Sequence, residues 1–193
     1  MERKEQIVIT IIVVLLVILA GLVYALTNQK TEPTQAQRMM LKPSELGADW
    51  IGIEEETSLD FQGLKSWDVW EFSRQSNEYW MPLDIGISVY NSTDTCESAY
   101  LISIAPFIQD QAQNNCTNIN IGDGGIAFNL YYGLPIETGG FPGIIFHEKN
   151  VLCGISVPAG AHTSPVPWWK GTLMYFATAQ LQKIDQNLVK EEK

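Results

Sequence analysis

The sequence predicts an α+β fold: an antiparallel sheet with two main helices packed on it, preceded by one N-terminal transmembrane helix. Three observations carry that expectation. Residues 7–26 form an unbroken apolar run, residues 83–90 alternate apolar and polar side chains with period 2, and each of two groups of strands is followed by a helix-like stretch. The boundaries follow: residues 1–6 as a cytoplasmic head, 7–26 as the spanning helix, 27–38 as a tether and 39–190 as the folded domain.

Residues 7–26, IVITIIVVLLVILAGLVYAL, hold 20 positions with no charge, no proline and one glycine. A helix of that length rises about 30 Å, the thickness of a bilayer's hydrocarbon core, and satisfies its own backbone groups. The run is longer than the apolar core of a signal peptide, about 7–15 residues, so a retained anchor is expected over cleavage after Ala25. Tyr24 suits the interfacial aromatic belt. Arg3 and Lys4 on one side nearly balance Lys30, Arg38 and Lys42 on the other. The short head, with the acceptor triplets at Asn91 and Asn115 as candidate glycosylation sites, places the domain outside the cytoplasm at a cell membrane.

Residues 27–37, TNQKTEPTQAQ, are polar and lack aromatics, as a spacer would. Residues 43–47 read as one helical turn closed by Gly47, with Met40, Leu41, Leu46 and Trp50 docking it on the domain. Residues 51–59 read as a short acidic edge strand, 67–74 as a strand apolar on both faces, and 83–90 as a half-buried antiparallel strand. Asp94 with Glu97 fits a capping box for a helix that should fail near Pro106. Residues 120–130 form a turn entering a strand. Residues 143–157 form a hairpin about Lys149-Asn150, which pairs Glu148 with Val151, Phe146 with Cys153 and Ile144 with Ile155 and sets His147 opposite Leu152. The stripe Met174, Ala177, Leu181, Ile184 and Leu188 makes residues 171–190 an amphipathic helix.

The opening at residues 41–50 (Leu-x-Pro-Ser-Glu-Leu-Gly-x-x-Trp), the Ile121-Gly122-Asp123-Gly124-Gly125 turn, the hairpin and the closing helix together resemble the PsbP-like and PknH-sensor-like extracytoplasmic α+β domains of prokaryotic membrane-anchored proteins. The resemblance covers residues 39–190. It implies a non-catalytic binding or accessory module and transfers no site residues.

The charge is one-sided. The chain carries a net charge of −10, and from Thr31 onward nine Lys and Arg face twenty Asp and Glu. Such a surface repels phosphate backbones, which disfavours nucleic-acid binding. Three cysteines cannot all pair within one chain. Cys96 and Cys116 are the candidate disulfide, closing a loop worth roughly 3 kcal/mol, with Cys153 as a buried thiol; three reduced cysteines are the alternative.

Catalytic motifs are sparse. His147-Glu148 lacks the second histidine of H-E-x-x-H, since position 151 is Val, and the segment reads as strand. With only His147 and His162 in the chain, solvated surface histidines are expected and no metal or cofactor is implied. G-x-S-x-G is absent, and Asp123 reads as turn chemistry. The aromatic loops offer more: Tyr131, Tyr132 and Phe141 in one, Trp168 and Trp169 in another. Where both loops meet they would line a cleft for a ligand or protein partner, or the two Trp would lock the last helix to the sheet. The expected function is a single-pass membrane-anchored, non-catalytic binding module. An accessory subunit of a membrane complex is the alternative. An envelope hydrolase is the third reading and requires His147, Glu148, His162 or Asp123 to cluster.

Overall fold

The computed structural model describes residues 32–55, 61–75, 80–109, 116–130, 141–157 and 167–191, and residues Pro33–Lys193 form one compact unit. Its centre is a seven-stranded, wholly antiparallel sheet. The strands are β1 (Trp50–Glu54), β2 (Leu64–Gln75), β3 (Trp80–Tyr90), β4 (Thr117–Ile119), β5 (Gly124–Leu130), β6 (Phe141–Glu148) and β7 (Val151–Ser156), in the order β1-β2-β3-β7-β6-β5-β4. Two meanders therefore meet at the β3–β7 seam. The helices are α1 (Gln35–Met39), α2 (Pro43–Leu46), α3 (Thr93–Gln109) and α4 (Pro167–Glu191).

The period of two sets the register. Ile85 faces Ile155, Ile87 faces Cys153 and Val89 faces Val151 across the seam, and β6 continues the rows through Ile144 and Phe146. These side chains form the main core on the front face, where α4 closes it with Leu173, Phe176, Ala177, Ile184 and Leu188. The expected stripe of α4 is displaced: Met174 and Leu181 are half-buried, while Leu173, Phe176 and Gln180 point inward. Residues of opposite parity on β5, β6 and β7 point to the back face. There α3 lays Tyr100 and Ile104 over Ile126, Phe128, Ile145 and Leu152.

Residues 35–38, read from sequence as the end of a tether, form α1. Thr34 and Gln37 make a reciprocal capping box, and Ala36, Met39 and Met40 are buried in the front core. Of these three anchors only Ala36 lies within residues 27–38, whose polar composition gives no sign of a helix, while Met40 docks as expected. α3 starts earlier than the Asp94 cap predicts. Ser92 is the capping side chain, its Oγ accepting from the Thr95 amide at 3.2 Å. The helix also runs through Pro106 to Gln109. Proline removes the amide donor that would face the Ile102 carbonyl, and both residues lie on the exposed side of the helix, where the loss is least costly.

The membrane-spanning helix expected over residues 7–26 has to be withdrawn from the fold class. No helix among the described residues is long and apolar enough to cross a membrane, and residues 7–26 lie outside the described residues. α3 has only 17 residues, and the 25 residues of α4 include Lys170, Lys183, Asp185, Lys190 and Glu191. The single-pass topology, the membrane as a partner, the localisation outside the cytoplasm at a cell membrane and the signal-anchor description were all drawn from that run and are withdrawn with it. What stands is an α+β domain with helices packed on a seven-stranded antiparallel sheet.

Candidate functional site

The back face is covered unevenly, and its surface features follow from that. α3 lies over β6, β7 and part of β3. Beside it, a groove of about 690 Å³ runs between the outer side of α3 and the 61–63 turn. Ser88, Tyr90 and Leu152 form its floor, and Asp94, Thr95, Ser98, Ala99 and Ile102 form one wall. Gly63, at φ 78, turns the chain so that its carbonyl accepts from the Asn91 amide at 2.9 Å, which ties the other wall to the start of α3. The rim is apolar: Phe61 is 57% exposed and Ile102 is 73% exposed.

Beyond the groove, the back face of β1, β2 and β3 carries a different chemistry. Ile51 and Ile53 point out from β1 and are exposed. In the row of Ile53, its cross-strand partner Glu71 stands directly opposite Asp84 across β2 and β3. Like charges at that spacing repel. Burial, with the charges of Glu55 and Glu71 beside it, pushes the Asp84 carboxyl up to about 6. Gly86 and Gly154 floor the adjoining row as cross-strand neighbours, and a Cβ placed on Gly154 would meet nothing within 4 Å.

Few of the residues expected to act are brought together. Tyr131, Tyr132, His162 and Asn115 lie outside the described residues. Phe141 opens β6, and Trp168 and Trp169 fall in the first turn of α4 rather than in a loop. Cys96, Cys116 and Cys153 are free thiols. Burial and the nearby Asp123 charge push the Cys96 thiol up to about 12, and burial also raises Cys116 and Cys153, so none is poised as a thiolate. Asn91 is exposed beside the α3 cap.

No family model matches the chain, and no curated protein or solved structure matches it. The site's geometry is thus the ground for reading its function.

Three of the hydrolase candidates, His147, Glu148 and Asp123, lie at the β6–β7 turn, where burial and then the Asp123 charge raise the Glu148 carboxyl. His147 and Glu148 are neighbours on a strand and project to opposite faces. His147 is only 7% exposed, not solvated, and its ring lies 4.6 Å from that of Tyr100 under α3. Asp123 serves the hairpin turn: its amide donates to the His147 carbonyl at 2.9 Å, and its Oδ2 accepts from the Lys149 amide at 2.7 Å. Asp84 belongs to the Glu55–Glu71 group and makes no pair with Asp123. Among the described residues no three His, Cys, Asp or Glu side chains are placed to hold a metal.

Sequence reasoning passed over Phe61 and the outer side of α3. The signal was present. The inward residues Cys96, Tyr100 and Ile104 recur at helical spacing, and Leu101, Ile102 and Ile108 lie off that stripe. A helix apolar on two sides has a second surface to bury.

Proposed function

We propose that this α+β domain is a docking module for another polypeptide, with no catalytic step of its own. The observation that carries the reading is the distribution of exposed apolar side chains. Of the large exposed apolar side chains among the described residues, Ile51, Ile53, Phe61, Leu101, Ile102 and Ile108 belong to the back face or to the helix and turn beside it, and only Tyr175 and Val189 lie on α4. Scattered exposed apolar residues need no explanation, but a concentration on one side, bordering a groove, is the signature of an interaction surface. The weak resemblance noted from the sequence, to extracytoplasmic binding modules, points the same way as to class.

The test is a peptide array probed with the full chain, in parallel with a thermal-shift screen of mono- and disaccharides, nucleotides and amino acids. Peptides with regularly spaced apolar residues should be retained. Phe61→Ser and Ile102→Ser should each abolish retention without lowering the melting temperature, while Tyr175→Ser on the exposed side of α4 should not. A silent array together with a small molecule that raises the melting temperature would replace this reading with a ligand-binding or enzymatic one.

A further inference from the structure

The two faces of the sheet are not equally covered. Seven strands at about 4.8 Å spacing span roughly 29 Å between the outer pair, and a helix about 10 Å across covers about two of them. On the front, α4 packs on β6 and β7 and α1 packs on β2 and β3. On the back, α3 packs on β3, β6 and β7, and no helix among the described residues packs on β1 or β2 there. Past the 61–63 turn, the described residues leave a strip between α3 and the β1 edge about the width of one helix.

Its surface matches one kind of helix. Ile51 and Ile53 flank it on the β1 side, with Ile53 65% exposed, and Ile102 stands on the α3 side. Gly86 and Gly154 leave the floor low enough for a close approach, with open space above Gly154. Glu55, Glu71 and Asp84 supply negative charge along the middle, and among the described residues no ion pair engages them. Resting on the docking reading above, we infer that this strip receives an amphipathic helix of a partner protein whose apolar side meets Ile51, Ile53 and Ile102 and whose flanking Lys and Arg residues meet the three carboxylates.

Charge decides against the other occupants. A second copy of this chain would bring the same acidic group to the interface and a net charge of −10. A nucleic acid would be repelled.

The experiment uses the full chain and three fluorescein-labelled 18-residue helical peptides. All carry leucine on one side; the opposite side is Lys, Glu or Ser. The Lys peptide should bind at least tenfold more tightly than the Glu peptide, and the difference should shrink as salt rises from 50 to 300 mM. Ile53→Asp and Ile102→Asp should each weaken the Lys peptide by on the order of tenfold, since each removes one buried isoleucine side chain from the contact. Glu71→Lys should weaken it, whereas Asp185→Lys, the same charge change on α4, should not. Equal effects of Glu71→Lys and Asp185→Lys would mean attraction by net charge alone and overturn the inference. If the Glu or Ser peptide binds as well as the Lys peptide and Ile53→Asp abolishes it, docking stands and the basic occupant is wrong. If no peptide responds to Ile53→Asp or Ile102→Asp, both fall. A concentration-dependent dimer that Ile53→Asp dissolves would instead assign the strip to a second copy.

Discussion

Gln180, fully buried on α4, holds the backbone from Met39 to Leu41 at both sides of Met40. Its Nε2 donates to the Met39 carbonyl at 2.7 Å, and its Oε1 accepts from the Leu41 amide at 3.1 Å. This one side chain satisfies two main-chain groups that the end of α1 leaves exposed inside the front core. Gln180→Met keeps the volume and orphans both groups, so it should lower stability by about 2–4 kcal/mol. Urea unfolding measures this. A change below about 0.5 kcal/mol would mean that α1 is not docked as described.

Two carboxyl groups make stability respond to pH in an uncommon direction. Asp68 is 3% exposed, its Oδ2 accepts from Trp70 Nε1 at 3.0 Å, and burial followed by the Glu54 charge pushes it up to about 6. Lys42, whose Nζ lies 4.5 Å from the Trp70 ring centre, offsets part of this. With the folded value above the ordinary 3.8, the folded state binds the extra proton. The contribution is full below 3.8 and is lost as pH rises through 6. Asp84 moves the same way. For Glu45 burial acts upward, but the hydrogen bonds and charges of Lys183 and Lys42 outweigh it and hold that carboxyl below its ordinary 4.5, so it does not oppose the change between pH 7.5 and pH 5. The urea midpoint should therefore rise between pH 7.5 and pH 5. Asp68→Asn, which keeps an oxygen for Trp70, should raise stability at pH 7.5 by at most roughly 3 kcal/mol and flatten the profile. A wild-type midpoint that falls between pH 7.5 and pH 5 contradicts this assignment.

The hairpin of β6 and β7 was legible to the residue. Alternation fixes which face each side chain takes, and a two-residue turn fixes the register, so the expected pairs of Glu148 with Val151, Phe146 with Cys153, Ile144 with Ile155 and His147 with Leu152 all occur. Alternation also made β3 legible, while β1, expected as an acidic edge strand over residues 51–59, is an edge strand over Trp50–Glu54. β4 was not, since three residues of Thr-Asn-Ile carry no period. α1 was hidden because residues 35–38 carry a single apolar side chain, Ala36, and do not register as a helix until Gln180 and the front core are there to receive Met39 and Met40. The groove was hidden for a related reason: its walls come from residues about 40 apart in the chain, and only the register of β2 against β3 brings Gly63 to Asn91.

The turn between β6 and β7 stores a small strain that can be removed. Lys149 has φ 51, a left-handed conformation that a side chain disfavours by about 1 kcal/mol and glycine does not. Lys149→Gly should raise stability by up to about 1 kcal/mol. Asp123→Ala should lower it by about 1–3 kcal/mol through loss of the charged acceptor for the Lys149 amide. Gly122→Ala should cost more than either, because φ is 58 there and a Cβ would lie 2.3 Å from the His147 carbonyl oxygen. Thermal melts of the three variants should fall in that order.

Gly154 and Gly125 sit one strand apart from each other on either side of β6, and their surroundings assign them opposite outcomes. A Cβ on Gly125 would meet Ile121 Cγ2 at 2.5 Å and Phe146 Cβ at 3.2 Å, so Gly125→Ala must push the front core apart and should destabilise by about 1–3 kcal/mol. A Cβ on Gly154 meets open space, and a β-branched side chain suits a strand better than glycine. Gly154→Val should therefore stabilise by about 0.5–1 kcal/mol. The same substitution raises the floor of the uncovered strip, so it should weaken binding of the Lys-bearing helix while raising the urea midpoint. A destabilised core cannot produce that pairing. A stable Gly154→Val variant that still binds the peptide at full strength would place the contact elsewhere on the domain.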